Sequence, residues 1–296
     1  MGKYNCSDPS RQPKLLDLVR NEIRVKHYSL RTEQSYIYWI KQYIFFNKKR
    51  HPDEMGEQEV SAYLTHLAVK RRVSASTQNQ ALCALVFMYR HVLKKKLGDL
   101  NNVSRAKRPK KLPVVLTKDE VKLILDKLDG NRALMAKLLY GSGLRLMECL
   151  RLRIKDIDVN YRQIIVRNGK GGKDRVTLLP DELMPLVKQQ FERAWTYHRK
   201  DLEQGYGEVY MPFALSRKYP NAGKEFGWQY LFPSYKRSID PLSNKERRHH
   251  VSEQVLQRAV KQAVRLTGIN KPATCHSFRH SFATHQIGRA SCRESV

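Results

Sequence analysis

Five residues stand at turns where they could act together on a phosphodiester. Arg145 follows the turn Gly141-Ser142-Gly143-Leu144, Lys170 and Lys173 lie in the glycine-rich stretch Asn168 to Asp174, and His276 and Arg279 have HxxR spacing. Two guanidiniums can hold both non-bridging oxygens of a phosphate and stabilise charge that develops in a phosphorane-like transition state, while Lys and His move protons. Fixed cations would then stand where other phosphoryl-transfer sites use Mg²⁺. Each piece alone has a plainer reading: an arginine at a helix start, a lysine-tipped surface turn, a histidine and arginine paired on one helix face. Their order along the chain favours the shared site. No P-loop, no HExxH pair and no acidic cluster for a divalent ion occurs, and GKGGK lacks the spacing and following helix of a phosphate-cradling loop. Neither a metal nor a cofactor is expected.

These residues need elements to hold them. The β-prone runs Gln163 to Arg167 and Arg175 to Leu179 flank the glycine-rich stretch, which predicts a β-hairpin with lysines at its tip. Thr117 and Glu120 have capping-box spacing before Val121, Ile124, Leu125 and Leu128, so a helix begins there. Further helices are expected from Arg132 to Tyr140, from beyond Pro180 to about Lys200, and around Leu256, Ala259, Val260 and Ala263. Between them, residues 203–243 break into Gly, Pro and aromatic residues with little periodicity and look inserted. Within that stretch, Tyr230-Leu231-Phe232 reads as a short strand whose rings face a core. After His285 the helical pattern fades, and residues 288–296 read as a non-native tail.

The first third of the chain is patterned differently. Apolar residues recur at helical spacing in Tyr36, Trp39, Ile40, Tyr43 and Ile44, again in Val60, Tyr63, Leu64 and Leu67, and again in Leu82, Leu85, Val86 and Tyr89. Residues 14–100 are therefore expected to form a small helical domain, and residues 101–115 a basic linker carrying Lys107, Arg108, Lys110 and Lys111 among prolines. A catalytic domain is expected over 116–287. The fold class is mainly α with a small β-hairpin or sheet, an α+β arrangement of two domains.

Charge identifies the partner class. Lys plus Arg number 56 against 28 Asp plus Glu, a net charge of +28, and this excess sits on a chain whose 41% hydrophobic content can bury a core. A polyanion is the expected partner. No apolar run approaches the roughly 20 residues needed to span a bilayer, so no membrane role is expected. Five cysteines without CxxC spacing and an N-terminus unlike a signal peptide point to a reduced cytoplasmic protein. Arg31, Lys41, Lys70, Arg71, Arg72, Lys94, Lys95 and Lys96 are candidates to neutralise phosphates without reading sequence.

The run Leu139-Tyr140-Gly141-Ser142-Gly143-Leu144-Arg145-Leu146-Met147-Glu148-Cys149-Leu150-Arg151-Leu152, the Gly169-Lys170-Gly171 turn and His276 to His285 resemble the tyrosine recombinases. Residues Glu203 to Ser234, with Tyr206, Tyr210, Pro212-Phe213-Ala214-Leu215 and Trp228-Gln229-Tyr230-Leu231-Phe232-Pro233, are similar to the extra segment of the integron integrase branch. The resemblance implies an N-terminal SAM-like core-binding domain and a C-terminal catalytic domain that clamp DNA, with four protomers on two sites. It implies that Arg145 and Arg279 clamp the scissile phosphate, that Lys170 protonates the leaving 5′ oxygen with Lys173 as second candidate, and that His276 assists as acid or base. By position in the insert it implies that Trp228, Pro241, His249 and His250 contact bases of cassette sites folded as single strands. The family's nucleophilic Tyr and its second His or Trp follow HxxR, and neither occurs here, since the last tyrosine is Tyr235. The expectation is therefore a chain that binds DNA without cleaving it. A non-catalytic DNA-binding module built on these domains is the alternative, and an RNA-binding protein using the aromatic insert is a third.

Overall fold

The computed structural model describes residues 13–95, 112–167, 169, 172–241 and 243–291. Contacts divide the chain into two compact units between Lys111 and Leu112. The expected linker residues Lys107, Arg108, Lys110 and Lys111, with Lys96, lie outside the described residues.

The first unit contains α1 (Leu15–Val25), α2 (Leu30–Phe46), α3 (Glu57–Val69) and α4 (Ala75–Phe87), the last prolonged by a π-helical turn over Met88–Val92. Hydroxyl caps start two of the helices. Ser29 Oγ accepts from the Thr32 amide at 3.1 Å ahead of α2, and Ser74 Oγ accepts from the Thr77 amide at 3.2 Å ahead of α4. The stripes read in the sequence meet as one core, in which Ile40, Tyr43, Val60, Leu85, Met88 and Tyr89 are fully or almost fully buried. Each such side chain contributes about 1.5–3 kcal/mol by leaving water. Tyr43 and Tyr89 meet hydroxyl to hydroxyl at 3.0 Å inside it, which satisfies both polar groups. Arg31, Lys41, Lys70, Arg71, Arg72, Lys94 and Lys95 all lie on the surface, and Lys95 pairs with Asp53 at 2.8 Å.

The second unit begins with α5 (Lys118–Asp126), entered through the expected capping box: the Thr117 amide donates to Glu120 Oε2 at 2.7 Å, and the Glu120 amide to Thr117 Oγ1 at 3.2 Å. α6 (Gly130–Gly141) and α7 (Leu146–Leu150) follow, and then a three-stranded antiparallel sheet of β1 (Ile157–Asp158), β2 (Gln163–Val166) and β3 (Arg175–Leu178). The hairpin registers Gln163 opposite Leu178 and Val166 opposite Arg175. β1, pairing Ile157 with Ile164, is an addition to the expected hairpin, and two residues are too few to show period-2 patterning.

After α8 (Met184–Glu203) come α9 (Phe213–Lys218) and the small ladder of β4 (Ser238–Ile239) with β5 (Glu246–Arg247), so the irregular region extends past Ser243 to the start of α10 (Glu253–Leu266). Tyr230 and Phe232 are buried as the pattern required, but they form no strand. Their segment instead makes isolated bridges, Arg153 with Tyr230 and Pro233 with His250. α11 (Cys275–Ser291) carries HxxR on its first turns and continues beyond His285, where the sequence periodicity fades. α6 and α11 pack together in the middle of the unit, with Leu138, Leu139, Leu144, Leu150, Ile164 and Phe278 fully buried around them. Among the described residues no helix is long and apolar enough to cross a membrane.

Candidate active site

The turn between α6 and α7 places Arg145. Gly143 there has φ +60°, and a Cβ on it would come within 2.5 Å of the Phe282 ring from α11. Glycine alone permits both that conformation and that approach. The turn is fixed from two further sides: Thr177 Oγ1 of β3 donates to the Ser142 carbonyl at 2.8 Å, and the Arg279 guanidinium of α11 donates to the Gly143 carbonyl. Hairpin and arginine helix are thereby attached to the same few backbone atoms.

Arg145 occupies the N-cap position of α7. Its amide donates to Glu148 Oε2 at 2.9 Å and its guanidinium to Glu148 Oε1 at 2.7 Å. Arg175, at the start of β3, donates to both oxygens of the same carboxylate, at 3.0 and 2.6 Å. Glu148 is nearly buried; burial alone would raise its pKa, but the hydrogen bonds from Arg175 and Arg145 outweigh this and hold it down at about 2. A charge-assisted bidentate pair of this kind fixes a guanidinium in orientation. Glu148 and Arg175 were not among the expected site residues. The signal for Glu148 was present, because Glu three positions after an N-cap is the capping-box spacing already recognised at Thr117 and Glu120.

Positive charge gathers here. The guanidinium of Arg279 is destabilised first by burial, then by Arg145 and Arg175 beside it. His276, stacked edge to face on His280 at 4.7 Å, is lowered below the ordinary imidazole value by desolvation and then by His280, Arg279 and Arg145. The structure therefore brings Arg145, Arg279 and His276 together, with Arg175 as a third cation and one carboxylate to offset them. A dianionic or monoanionic oxygen group would relieve this mutual repulsion.

The hairpin tip adjoins the same place. Gly169 donates its amide to the Lys173 carbonyl at 3.0 Å, and a Cβ on Gly169 would stand 2.8 Å from that oxygen and 3.6 Å from Glu148 Oε1. Lys170 lies outside the described residues. Lys173 is exposed on the limb of the tip.

A second cluster forms in the insert. Arg153, three residues after α7, donates to the carbonyls of Trp228 and Tyr210 and stacks over the Tyr230 ring at 4.9 Å. Tyr230 in turn packs against His249 at 5.2 Å and His250 at 5.3 Å, and the two imidazoles lie 4.1 Å apart. Burial lowers His250 to a pKa of about 4, so it is neutral near pH 7. Trp228 is half-buried with the Lys155 ammonium over its face, 2.7 Å from the ring centre. Three of the four expected base-contacting residues are thus linked through Arg153 and Tyr230. Pro241 is exposed in the turn joining β4 to β5. Phe226 does not join them: it packs edge to face on Trp195 of α8 at 5.0 Å, and Tyr235 is 74% exposed.

The insert is bound to the rest of the unit in part through backbone atoms. The Ile154 amide donates to the Gln229 carbonyl at 3.0 Å and the Leu231 amide to the Leu152 carbonyl at 2.8 Å. The Gln229 side-chain amide is directed at the carbonyls of Gly207, Gly223 and Glu225. Beneath, the buried carboxylate of Asp201 on α8 accepts from Arg237 at 2.8 Å and from Arg248 at 2.6 and 2.7 Å.

Comparison with known proteins follows this division. Residues 15–99 match the phage integrase N-terminal SAM-like domain, and residues 114–290 match the Phage integrase family. An integrase/recombinase of Escherichia coli and one of Pseudomonas aeruginosa are each 49% identical over 276 residues, covering 93% of this chain and 82% of theirs. The tyrosine recombinase XerA of Pyrococcus horikoshii is 32% identical over 65% of this chain and 54% of its own. In fold, the chain is similar to the Tn1549 transposon integrase in complex with transposon right end DNA, with TM-score 0.59, 17% identity and coverage of 94% and 87%. It is similar also to a lambda integrase (75-356) dimer bound to a COC′ core site, with TM-score 0.59, 16% identity and coverage of 91% and 84%.

Proposed function

Because the chain belongs to the phage integrase family of tyrosine recombinases, we propose that its arginine cluster holds the scissile phosphate of a DNA site and that its insert directs it to gene-cassette sites, as an integron integrase. The observation that carries the first part is the meeting of Arg145 and Arg279 at one turn with His276 near both, and with Glu148 holding Arg145 in place. Arg145 and Arg279 bind the two non-bridging oxygens. Lys170, in the glycine-rich stretch between β2 and β3, delivers a proton to the departing 5′ oxygen, with Lys173 next in line, while the nucleophilic hydroxyl of a tyrosine bonds to phosphorus and leaves a 3′-phosphotyrosine. His276, its proton affinity reduced, is neutral at pH 7 and able to accept or return a proton. No tyrosine follows Tyr235 in the 296 residues, so this chain alone binds DNA and leaves it uncut. A chain with the nucleophile acts as a homotetramer on two sites.

Support for the second part comes from the insert: an indole and two imidazoles, set on the buried Tyr230 and joined through one arginine, form a platform on which unpaired bases stack, each stack contributing roughly 1–3 kcal/mol. The basic surface of the first unit and residues Lys107, Arg108, Lys110 and Lys111 add phosphate contacts that carry no sequence information. The second reading is a non-catalytic DNA-binding module built on the same domains.

The test is a gel-shift titration of the chain against a folded bottom-strand cassette site, its complementary top strand and a random duplex at two salt concentrations, with a denaturing gel alongside. Preference for the folded bottom strand without covalent adduct is expected. Equal, salt-sensitive binding to all three would overturn the integron reading, and a covalent adduct would overturn the uncut-DNA prediction.

A further inference from the structure

Arg153 contacts the insert through hydrogen bonds, ring contacts and a backbone bridge together. Its guanidinium donates through one nitrogen to the Trp228 carbonyl and through another to the Tyr210 carbonyl at 2.9 Å, and its planar face lies 4.9 Å from the centre of Tyr230 and 5.6 Å from that of Trp228. Its own backbone bridges to Tyr230, and its amide donates to Asp156 Oδ2 at 2.9 Å. A rigid fork with several donors and a stackable plane is the one side chain able to make all these contacts together; a lysine ammonium has neither the plane nor the fork. Arg153 lies on the short segment that leaves α7, the helix begun by Arg145. The distance from phosphate clamp to insert is therefore spanned by a few residues of fixed backbone.

Trp228 is oriented from the same segment. Lys155 covers one face of its ring. Tyr230, whose far side carries His249 and His250, is held against Arg153. We infer that Arg153 is a positioning residue for recognition of unpaired bases: it sets where Trp228 and the Tyr230–His249–His250 stack stand relative to the phosphate clamp, and so which DNA sites are accepted. This rests on the proposal that the insert stacks on extrahelical bases.

The experiment uses the 296-residue chain, since binding requires no cleavage. Three probes are titrated: a DNA hairpin with two unpaired bases on one arm, the same hairpin with those bases deleted, and a random duplex. The wild-type chain is expected to favour the bulged over the bulge-less hairpin by roughly tenfold, in line with one or two stacks. Arg153→Ala is expected to bring that ratio close to one while duplex affinity changes less than about twofold, and Arg153→Lys to fall between, since an ammonium can still reach a carbonyl. Replacing one unpaired base by 2-aminopurine gives an independent signal: quenching on binding by the wild type, lost in Arg153→Ala. A wild-type ratio of one would sink the base-stacking reading itself. A wild-type ratio near ten that Arg153→Ala leaves intact, with quenching retained, would overturn the role of Arg153 alone. Equal losses on all three probes would show that Arg153 merely supports the fold, and would overturn the inference too.

Discussion

Replacing Glu148 by glutamine removes the carboxylate that binds both Arg145 and Arg175 while keeping shape and volume. The charge is worth a calculable amount. Its pKa is held at about 2 against an ordinary 4.5, a difference of roughly 2.5 pH units, and at about 1.36 kcal/mol per unit the folded state gains about 3 kcal/mol from ionised Glu148 at pH 7. Because the folded value is depressed, that stabilisation is complete above the unfolded value and is lost as pH falls toward the folded value, so somewhat less than half should remain near pH 3. In a unit of this size about 3 kcal/mol corresponds to a fall in Tm of roughly 6–12 °C. Urea unfolding of wild type and Glu148→Gln at pH 7, 5, 4 and 3 is the assay, with the transition of the second unit followed separately from that of the first. The gap should be largest at pH 7 and narrow steadily below pH 4.5. A gap of the same size at pH 3 as at pH 7 would refute the electrostatic account and leave only lost packing. DNA binding offers a cross-check: with Arg145 no longer oriented, affinity should fall although the chain has become more positive.

Three other perturbations follow from the geometry. Gly143→Ala should destabilise the second unit by about 1–3 kcal/mol, because the new methyl meets Phe282 and the backbone is at positive φ, and Phe282→Leu should recover part of the loss in thermal melts. Asp201→Ala should cost roughly 3–5 kcal/mol by leaving Arg237 and Arg248 without their buried carboxylate, seen in hydrogen exchange as faster opening over residues 234–250 than in α5 or α6. His250 titrates in the opposite sense to a stabilising cation: its folded value of about 4 lies below the ordinary 6.5, so stability is full above pH 6.5 and declines as pH falls toward 4. His250→Phe should flatten that part of the stability profile; an unchanged slope would refute the assignment.

Much of this architecture could be read before any coordinates, and the reasons differ by element. Thr117 announced its helix because capping is local chemistry, complete within four residues. The hairpin limbs showed themselves through β-prone residues around a glycine-rich turn. Arg145, His276 and Arg279 were legible as a set, since a phosphate clamp needs these types. What escaped depends on distance along the chain. Arg153 meets Tyr210 and Trp228, Asp201 meets Arg248, and Arg175 meets Glu148 only after folding, and no local period marks such pairs. Tyr230-Leu231-Phe232 was read as a strand because buried alternation resembles one, whereas its partners are single bridges. α11 outran its sequence pattern, running on to Ser291 past the point where apolar periodicity fades.

The attachment of the insert has an evolutionary meaning. Ile154 with Gln229 and Leu231 with Leu152 join main chain to main chain, and the side chains of Arg153 and Gln229 are directed at carbonyl oxygens present at every position of any polypeptide. Such bonds are indifferent to the side chains of the segment they hold. Mutations can therefore accumulate across the exposed part of the insert without detaching it, provided the residues that do hold it by side chain, Arg153, the buried Leu231 and Phe232 and the Arg237 partner of Asp201, are kept. A lineage is free to drift toward new target sites one substitution at a time, with the reaction chemistry insulated from the search.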